Sequence, residues 1–456
     1  MRKIWSVVIA LTVLSATASA QGFRTVAVYN VLDAGNDNTG GITRNNATSG
    51  NLGATTGQER TLAVRPGEPI IVYIARGAVQ TGDGRAGGEI GLAAILLQSK
   101  SDGDFNPRTM PDLPLNYIDT GLIVSGGSPA PFSFIHAVFY EPVLDKVWVL
   151  DRSSATPRVW YFDGGSVGGA PAGGDVARTA VARNIVSPFV ADNASGLGGQ
   201  GYALAVRVNP HNRDDITVAL GMGTHLEVWQ SRSGLAGPWT LRFESSNDPD
   251  GDGSLPPFGS SSVRDVAFDE QGDIWVTHQQ SGLHNYLHRY DGESLGRGIL
   301  ARETFDFEAP SFISSPSAFA GGFNAIRFYR AGETIFLWAV NRGSDGARIT
   351  VVRYRRQGER GRYSFTAVDG FGSGVVTGTD QDATLATLRL KGSATETQPG
   401  APAPNGFLYL SLPYAATGDL TLTADELYLN GFVVDATKNQ TLPTSGIIRV
   451  SFPPPR

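Results

Sequence analysis

Val266-Ala267-Phe268-Asp269-Glu270-Gln271-Gly272-Asp273-Ile274-Trp275-Val276-Thr277 is the stretch that decides the fold. An apolar-alternating run reaches Phe268, breaks at a polar Asp-Glu-Gln-Gly-Asp segment, and resumes around Trp275. That is the pattern of strand, tight turn, strand. His288-Arg289-Tyr290-Asp291-Gly292 then supplies a third strand ending in aromatic-Asp-Gly. The same plan occurs upstream in Phe134 to Glu141, Lys146 to Asp151 with Trp148 at its centre, and Trp160 to Gly164. Self-similarity at this spacing marks a repeat architecture.

Weaker copies follow the plan elsewhere. Their second strands centre on Val72, Thr217, Phe336 and Leu408, so neighbouring copies lie roughly 60 to 75 residues apart. Fourth strands are expected at Tyr117 to Val124, Arg178 to Ile185, Trp239 to Phe243, Glu303 to Phe307 and Tyr363 to Val368. Leu385 to Leu388, Phe407 to Leu410 and Ile447 to Val450 make a last copy that lacks a fourth strand. Arg24 to Val31 is an unpaired strand at the other end of the chain. Using it as the outer strand of the last copy closes a ring and removes the exposed edges of an open array. The expected fold is therefore an all-β, six-bladed β-propeller, with blades at about 59–125, 133–186, 202–244, 262–308, 322–369 and 384–452 plus 24–31. Seven blades is the alternative count, because Glu426 to Val434 reads as a hairpin with an Asn430-Gly431 turn. With six blades that hairpin belongs to an insertion, Pro413 to Pro443.

The Asp269 to Thr277 phrase resembles the D-x-x-G-x-(I/L)-W-(F/V)-T phrase of propellers in the NHL-repeat, gluconolactonase-like and streptogramin-lyase-like groups. Asp145 to Leu150 matches it in part. The resemblance implies a fold and no single activity, since such propellers include hydrolases, lyases and binding proteins.

The first twenty residues read as an address: Arg2 and Lys3, an apolar run from Ile4 to Leu14, and the small-residue cleavage site Ala18-Ser19-Ala20. The expected product starts at Gln21 as one domain, 21–456, secreted or otherwise extracytoplasmic, without a membrane span. The absence of cysteine excludes disulfides, zinc-thiolate sites and thiol catalysis. A net charge of −6 over 456 residues leaves no basic footprint for nucleic acid. The 57 glycines and 26 prolines fit a chain of many tight turns.

Candidate sites fall in three groups. Asp248, Asp250, Asp252 and Ser254 alternate along a glycine-punctuated loop, which resembles the first half of an EF-hand-type calcium loop and is the candidate Ca2+ site. Gly259 stands where such a loop carries its bidentate glutamate. His278 and His284, with His288 beyond them, are the candidate acid–base residues for a metal-assisted hydrolase or lyase at a channel mouth. Aligning the copies brings Arg76, Asp151, Arg152, Asn341 and Arg342 to the same rim, and His136, Arg264 and Asn324 to one row of the inner strands. The primary expectation is an exported binding or scaffold module whose partner is an extracellular ligand, glycan or protein. Trp148 and Trp275, flanked by Val and Ile, are expected in the sheet interior.

Overall fold

The computed structural model describes residues 24–30, 62–67, 70–76, 91–97, 117–125, 128–129, 135–151, 157–165, 180–181, 184–191, 202–222, 225–244, 263–278, 286–294, 302–308, 323–331, 334–343, 346–357, 362–366, 375–379, 385–389, 414–422, 426–435 and 440–451. The expected signal peptide, the Asp248 to Ser254 loop, His284 and Arg152 lie outside these residues. Among the described residues the chain is all-β, apart from turns and one 3-10 turn at Gly292–Ser294, and no helix is long and apolar enough to cross a membrane.

The strands group into six sheets. Strand β1 is Arg24–Asn30. Sheet one holds β2 (Leu62–Arg65), β3 (Ile70–Arg76), β4 (Gly91–Leu97) and β5 (Tyr117–Ser125), with β6 (Ser128–Pro129) paired to β5. Sheet two holds β7 (Ile135–Glu141), β8 (Lys146–Asp151) and β9 (Arg158–Asp163). The short β10 (Ala180–Val181) intervenes in the chain, and β11 (Val186–Val190) then completes sheet two. Sheet three is β12 (Tyr202–Asn209), β13 (Asn212–Met222), β14 (His225–Ser231) and β15 (Trp239–Glu244). Sheet four is β16 (Val263–Phe268), β17 (Ile274–His278), β18 (Tyr286–Tyr290) and β19 (Arg302–Glu308). Sheet five is β20 (Phe323–Ala331), β21 (Thr334–Gly343), β22 (Gly346–Gln357), β23 (Arg362–Thr366) and β24 (Val375–Thr379). The short β25 (Leu385–Arg389) comes next in the chain. The last sheet is β26 (Tyr414–Leu422), β27 (Glu426–Asp435) and β28 (Gln440–Ser451), with β1 antiparallel to β28 from Arg24↔Ser451 to Asn30↔Gly446.

Three stretches differ from the sequence expectation. Arg178 to Ile185 does not form the outer strand of sheet two. Its Ala180–Val181 piece runs parallel to β5 in sheet one, and β11 takes the outer place. The anchor is Phe189, which faces Val159 across the ladder and stacks on Trp229 with ring centroids 4.7 Å apart. Leu385 to Leu388 is not an inner strand of the last sheet. As β25 it runs parallel to β19 and covers the outer edge of sheet four, while β24 covers the outer edge of sheet five. Such covering pairs backbone groups that a bare edge leaves open. Asn430-Gly431 is no hairpin turn. Gly431 lies inside β27 between Ala416 and Gly446, and pairing on both flanks outweighs the local turn preference.

Sheet three buries both faces. Strand β12 shows how: Leu204, Val206 and Val208 join Trp148, Leu150 and Val159 of sheet two, while Ala203 and Ala205 join Val263, Val266, Ile274 and Val276 of sheet four. Alternation along one strand therefore supplies two interfaces, one with large and one with small side chains. Gly221 belongs to the tighter one. A Cβ there would collide with the Val263 side chain. Trp148 and Trp275 are fully buried, as expected. Trp148 meets Trp239 of sheet three edge-on at 5.9 Å, and Trp275 meets Phe328 of sheet five at 5.3 Å. The first strands touch in a cyclic series: β2 with β7, β7 with β12, β12 with β16, β16 with β20, β20 with β26, and β26 with β2.

The Asp269 turn shows why the repeat phrase reads as it does. The Asp269 carboxylate accepts from the backbone N–H of Gln271, Gly272 and Asp273 at 2.9–3.0 Å, and from Trp275 Nε1 at 3.0 Å. Gly272 has φ +94°, a left-handed value that disfavours any side chain. One aspartate, one glycine and one tryptophan thus hold the turn and fasten it to the core.

Arginines from the flanking sheets bolt these turns down. In sheet two, Arg65 of β2 makes a bidentate pair with Asp145 at 2.7 and 2.9 Å, and Arg213 of β13 donates to the Val143 carbonyl. In sheet four, Arg207 of β12 reaches the Glu270 carbonyl at 3.4 Å, and Arg330 of β20 pairs with the Glu270 carboxylate. The Arg65 hydrogen bonds hold the Asp145 carboxyl below its usual range. Burial, with the hydrogen bond to Asp145, pushes Tyr140 up to about 12. Burial also raises Glu141, against the opposing hydrogen bonds from Val143 and Leu144. This turn end is closed by ion pairs. The other end of the sheets is where the first strands begin and the second strands finish.

Candidate functional site

At that second end the register repeats a single irregularity. In sheet two Ile135 faces Asp151 and Ala137 faces Leu150, so His136 is the extra residue of a β-bulge. In sheet four Val263 faces His278 and Asp265 faces Thr277, which makes Arg264 the extra residue. In sheet five Phe323 faces Asn341 and Ala325 faces Val340, and the extra residue is Asn324. A bulge inserts one residue on one strand, breaks the ladder locally and re-aims the chain, and it recurs next to binding and catalytic sites. His136, Arg264 and Asn324 thus share one structural position as well as one sequence row, each beside the end of its second strand.

The partners of these bulges are the other rim residues. Asp151 ends β8 and is buried, His278 ends β17, and Asn341 and Arg342 lie two and one residues from the end of β21. Arg76 ends β3 opposite Gly91. Arg264 is only 6% exposed. The next residue, Asp265, ties two bulged strands together. Its Oδ1 accepts from Val266 N–H at 2.8 Å, and its Oδ2 accepts from Ile326 N–H at 2.7 Å and Arg327 Nη1 at 2.6 Å. The inner strands of sheets four and five are therefore fixed to each other within two residues of both bulges.

The histidines separate in the structure. His288 pairs with Val276 inside sheet four and is buried, two positions short of His278 along the ladder. It belongs to the sheet and not to the rim. His225, which no spacing argument singled out, opens β14 opposite Met222 and joins the same end. Thr277, one residue before His278, is fully buried, and its hydroxyl makes no hydrogen bond. Among the described residues no three His, Asp or Glu side chains converge to hold a metal ion.

No protein-family model matches the chain, and no curated protein matches it. Solved structures do match at low identity. A protein from Lactobacillus plantarum is 13% identical with TM-score 0.34, covering 88% of this chain and 87% of its own. The nidogen/laminin complex gives 9% identity and TM-score 0.32 over 64% and 74%. The Cellvibrio cellulosa alpha-L-arabinanase complexed with arabinohexaose gives 12% and 0.31 over 69% and 90%. At such TM-scores these likenesses carry no argument about this chain.

Proposed function

We propose that the chain is an exported six-bladed β-propeller that binds a ligand across the mouth at its bulged end, with calcium held in the Asp248 to Ser254 loop. The cyclic series of first-strand contacts and the β1–β28 pairing support a closed ring of six. The observation that carries the site is the bulge repeated in sheets two, four and five at His136, Arg264 and Asn324. Three interruptions at one level, in strands that touch around a ring, support a ligand site at that end, because bulges recur beside binding sites.

A thermal-shift screen of the chain from Gln21, run against sugars and small organic acids, tests the site. Its hits should lose their shift in His136→Ala and Asn324→Ala and keep it in Arg213→Gln at the turn end. Hits that ignore both mouth variants would place the ligand elsewhere.

Calcium is tested separately. Millimolar Ca2+ should raise the melting temperature, with about 2.7 kcal/mol of added stability when calcium reaches a hundred times its Kd. Asp250→Asn should abolish the rise. A wild-type chain whose melting temperature ignores calcium would make the loop a plain acidic turn.

A further inference from the structure

We infer that Asp265 is a positioning residue of the mouth, which with Arg327 clamps the Ile326 peptide and sets the bulge of sheet four against that of sheet five. This rests on the mouth being the binding site, as proposed above. Strand β20 is the inner edge of sheet five, with β21 on its other flank. At Ile326 the backbone N–H donates to Asp265 Oδ2 at 2.7 Å, and the carbonyl accepts from Arg327 Nη1 at 2.6 Å. Arg327 Nη1 also donates to the same Asp265 oxygen at 2.6 Å, which closes the clamp. Asp265 Oδ1 accepts from the Val266 N–H at 2.8 Å, so the carboxylate is anchored in its own strand. One end of the clamp is next to Arg264, the extra residue of its bulge, and the other is two residues from Asn324.

The sibling sheets show that packing does not ask for this charge. Each bulge is followed by one rung of the first ladder: Ala137 with Leu150 in sheet two, Ala325 with Val340 in sheet five, and Asp265 with Thr277 in sheet four. Ala137, Ala325 and Asp265 are all buried. Of these three rungs only that of sheet four is polar on both sides, and its Thr277 hydroxyl is buried without a hydrogen bond. A fold breaks its own local pattern at functional sites and makes up the loss elsewhere. A buried carboxylate is costly unless it is well hydrogen-bonded, and three donors meet it here. Asp265 thus does what alanine at the sibling positions cannot. It crosses from one sheet to the next and ties two inner strands together at the level of the mouth.

Amide hydrogen exchange of the Gln21 chain and its Asp265→Ala, Asp265→Asn and Arg330→Gln variants tests the clamp. Arg330 joins the same two sheets, but at the turn end. Asp265→Ala should speed exchange at Ile326 by about tenfold or more, since its N–H loses a charged acceptor. Asp265→Asn keeps an acceptor oxygen and should give a smaller rise, and it reports even if Asp265→Ala fails to fold. Arg330→Gln should leave Ile326 unchanged. Unchanged exchange at Ile326 in the Asp265 variants, or a rise spread evenly through sheets four and five to the turn end, would overturn the clamp. The binding arm uses a sugar or organic acid from the screen above whose shift is lost in Asn324→Ala. Its affinity should fall about tenfold in Asp265→Asn, as for a site whose supporting shell has loosened, and hold in Arg330→Gln. Full affinity in an Asp265→Asn chain whose Ile326 exchange has risen would overturn the positioning role and leave the mouth as proposed. A screen in which no compound depends on Asn324 would overturn the mouth, and the positioning role with it.

Discussion

Replacing Arg289 with leucine is expected to destabilise the chain by about 3–5 kcal/mol, the cost of breaking a buried ion pair from one side. Arg289 and Asp273 are both 1% exposed. Asp273 Oδ2 accepts from Arg289 Nε at 2.9 Å and lies 2.8 Å from Nη2, while its Oδ1 accepts from Gly292 N–H at 3.0 Å. The pair thus joins β18 to the start of β17 and to the aromatic-Asp-Gly ending of the repeat. Without the arginine the Asp273 charge stays buried beside the Gly292 N–H, and its desolvation is no longer offset by the opposite charge. The double variant Arg289→Leu, Asp273→Leu should recover a good part of the loss, because the orphaned charge is gone. Urea denaturation midpoints measure both. A single variant as mild as Arg330→Gln, whose pair with Glu270 is exposed, would show that the buried pair does not hold the repeat together.

The second large effect concerns the two repeat tryptophans. Trp275→Ala and Trp148→Ala should each cost about 3–5 kcal/mol, as expected for deleting a large buried aromatic. Phenylalanine at the same positions should tell them apart. Trp275 Nε1 donates to Asp269, whose other oxygen organises the turn, whereas Trp148 Nε1 is buried without a hydrogen bond. Trp275→Phe therefore loses packing and a bond to a charged group, worth about 1.5–3 kcal/mol. Trp148→Phe loses packing alone. Equal midpoints for the two phenylalanine variants would contradict the role given to the Asp269–Trp275 bond. The same comparison explains why the repeat phrase is fuller in sheet four than in sheet two. In sheet two Glu141 caps its turn through Val143 and Leu144 N–H, and the turn takes its left-handed residue at Asp145, φ 50°.

One row of the candidate site is legible in the sequence. His136, Arg264 and Asn324 fall in one row when the copies are aligned by their apolar alternation. The bulges were not legible, because a bulge is a relation between two strands and neither strand announces it alone. His288 stands in the third strand, where the alternation put it, and only the structure shows that it is buried there.

What the amino-acid sequence determined by itself was local: period-two alternation, the Asp269 turn with its left-handed Gly272, and the buried tryptophans. Each of these depends on backbone preference and side-chain polarity within a dozen residues. Tertiary structure decided where strands of similar composition were placed. Leu385 to Leu388 became an edge cover on sheet four. Asn430-Gly431 was drawn into a strand with partners on both sides. Backbone hydrogen bonding does not depend on side-chain identity, so an alternating segment fits any open edge. Which edge is open is known only once the other sheets are in place.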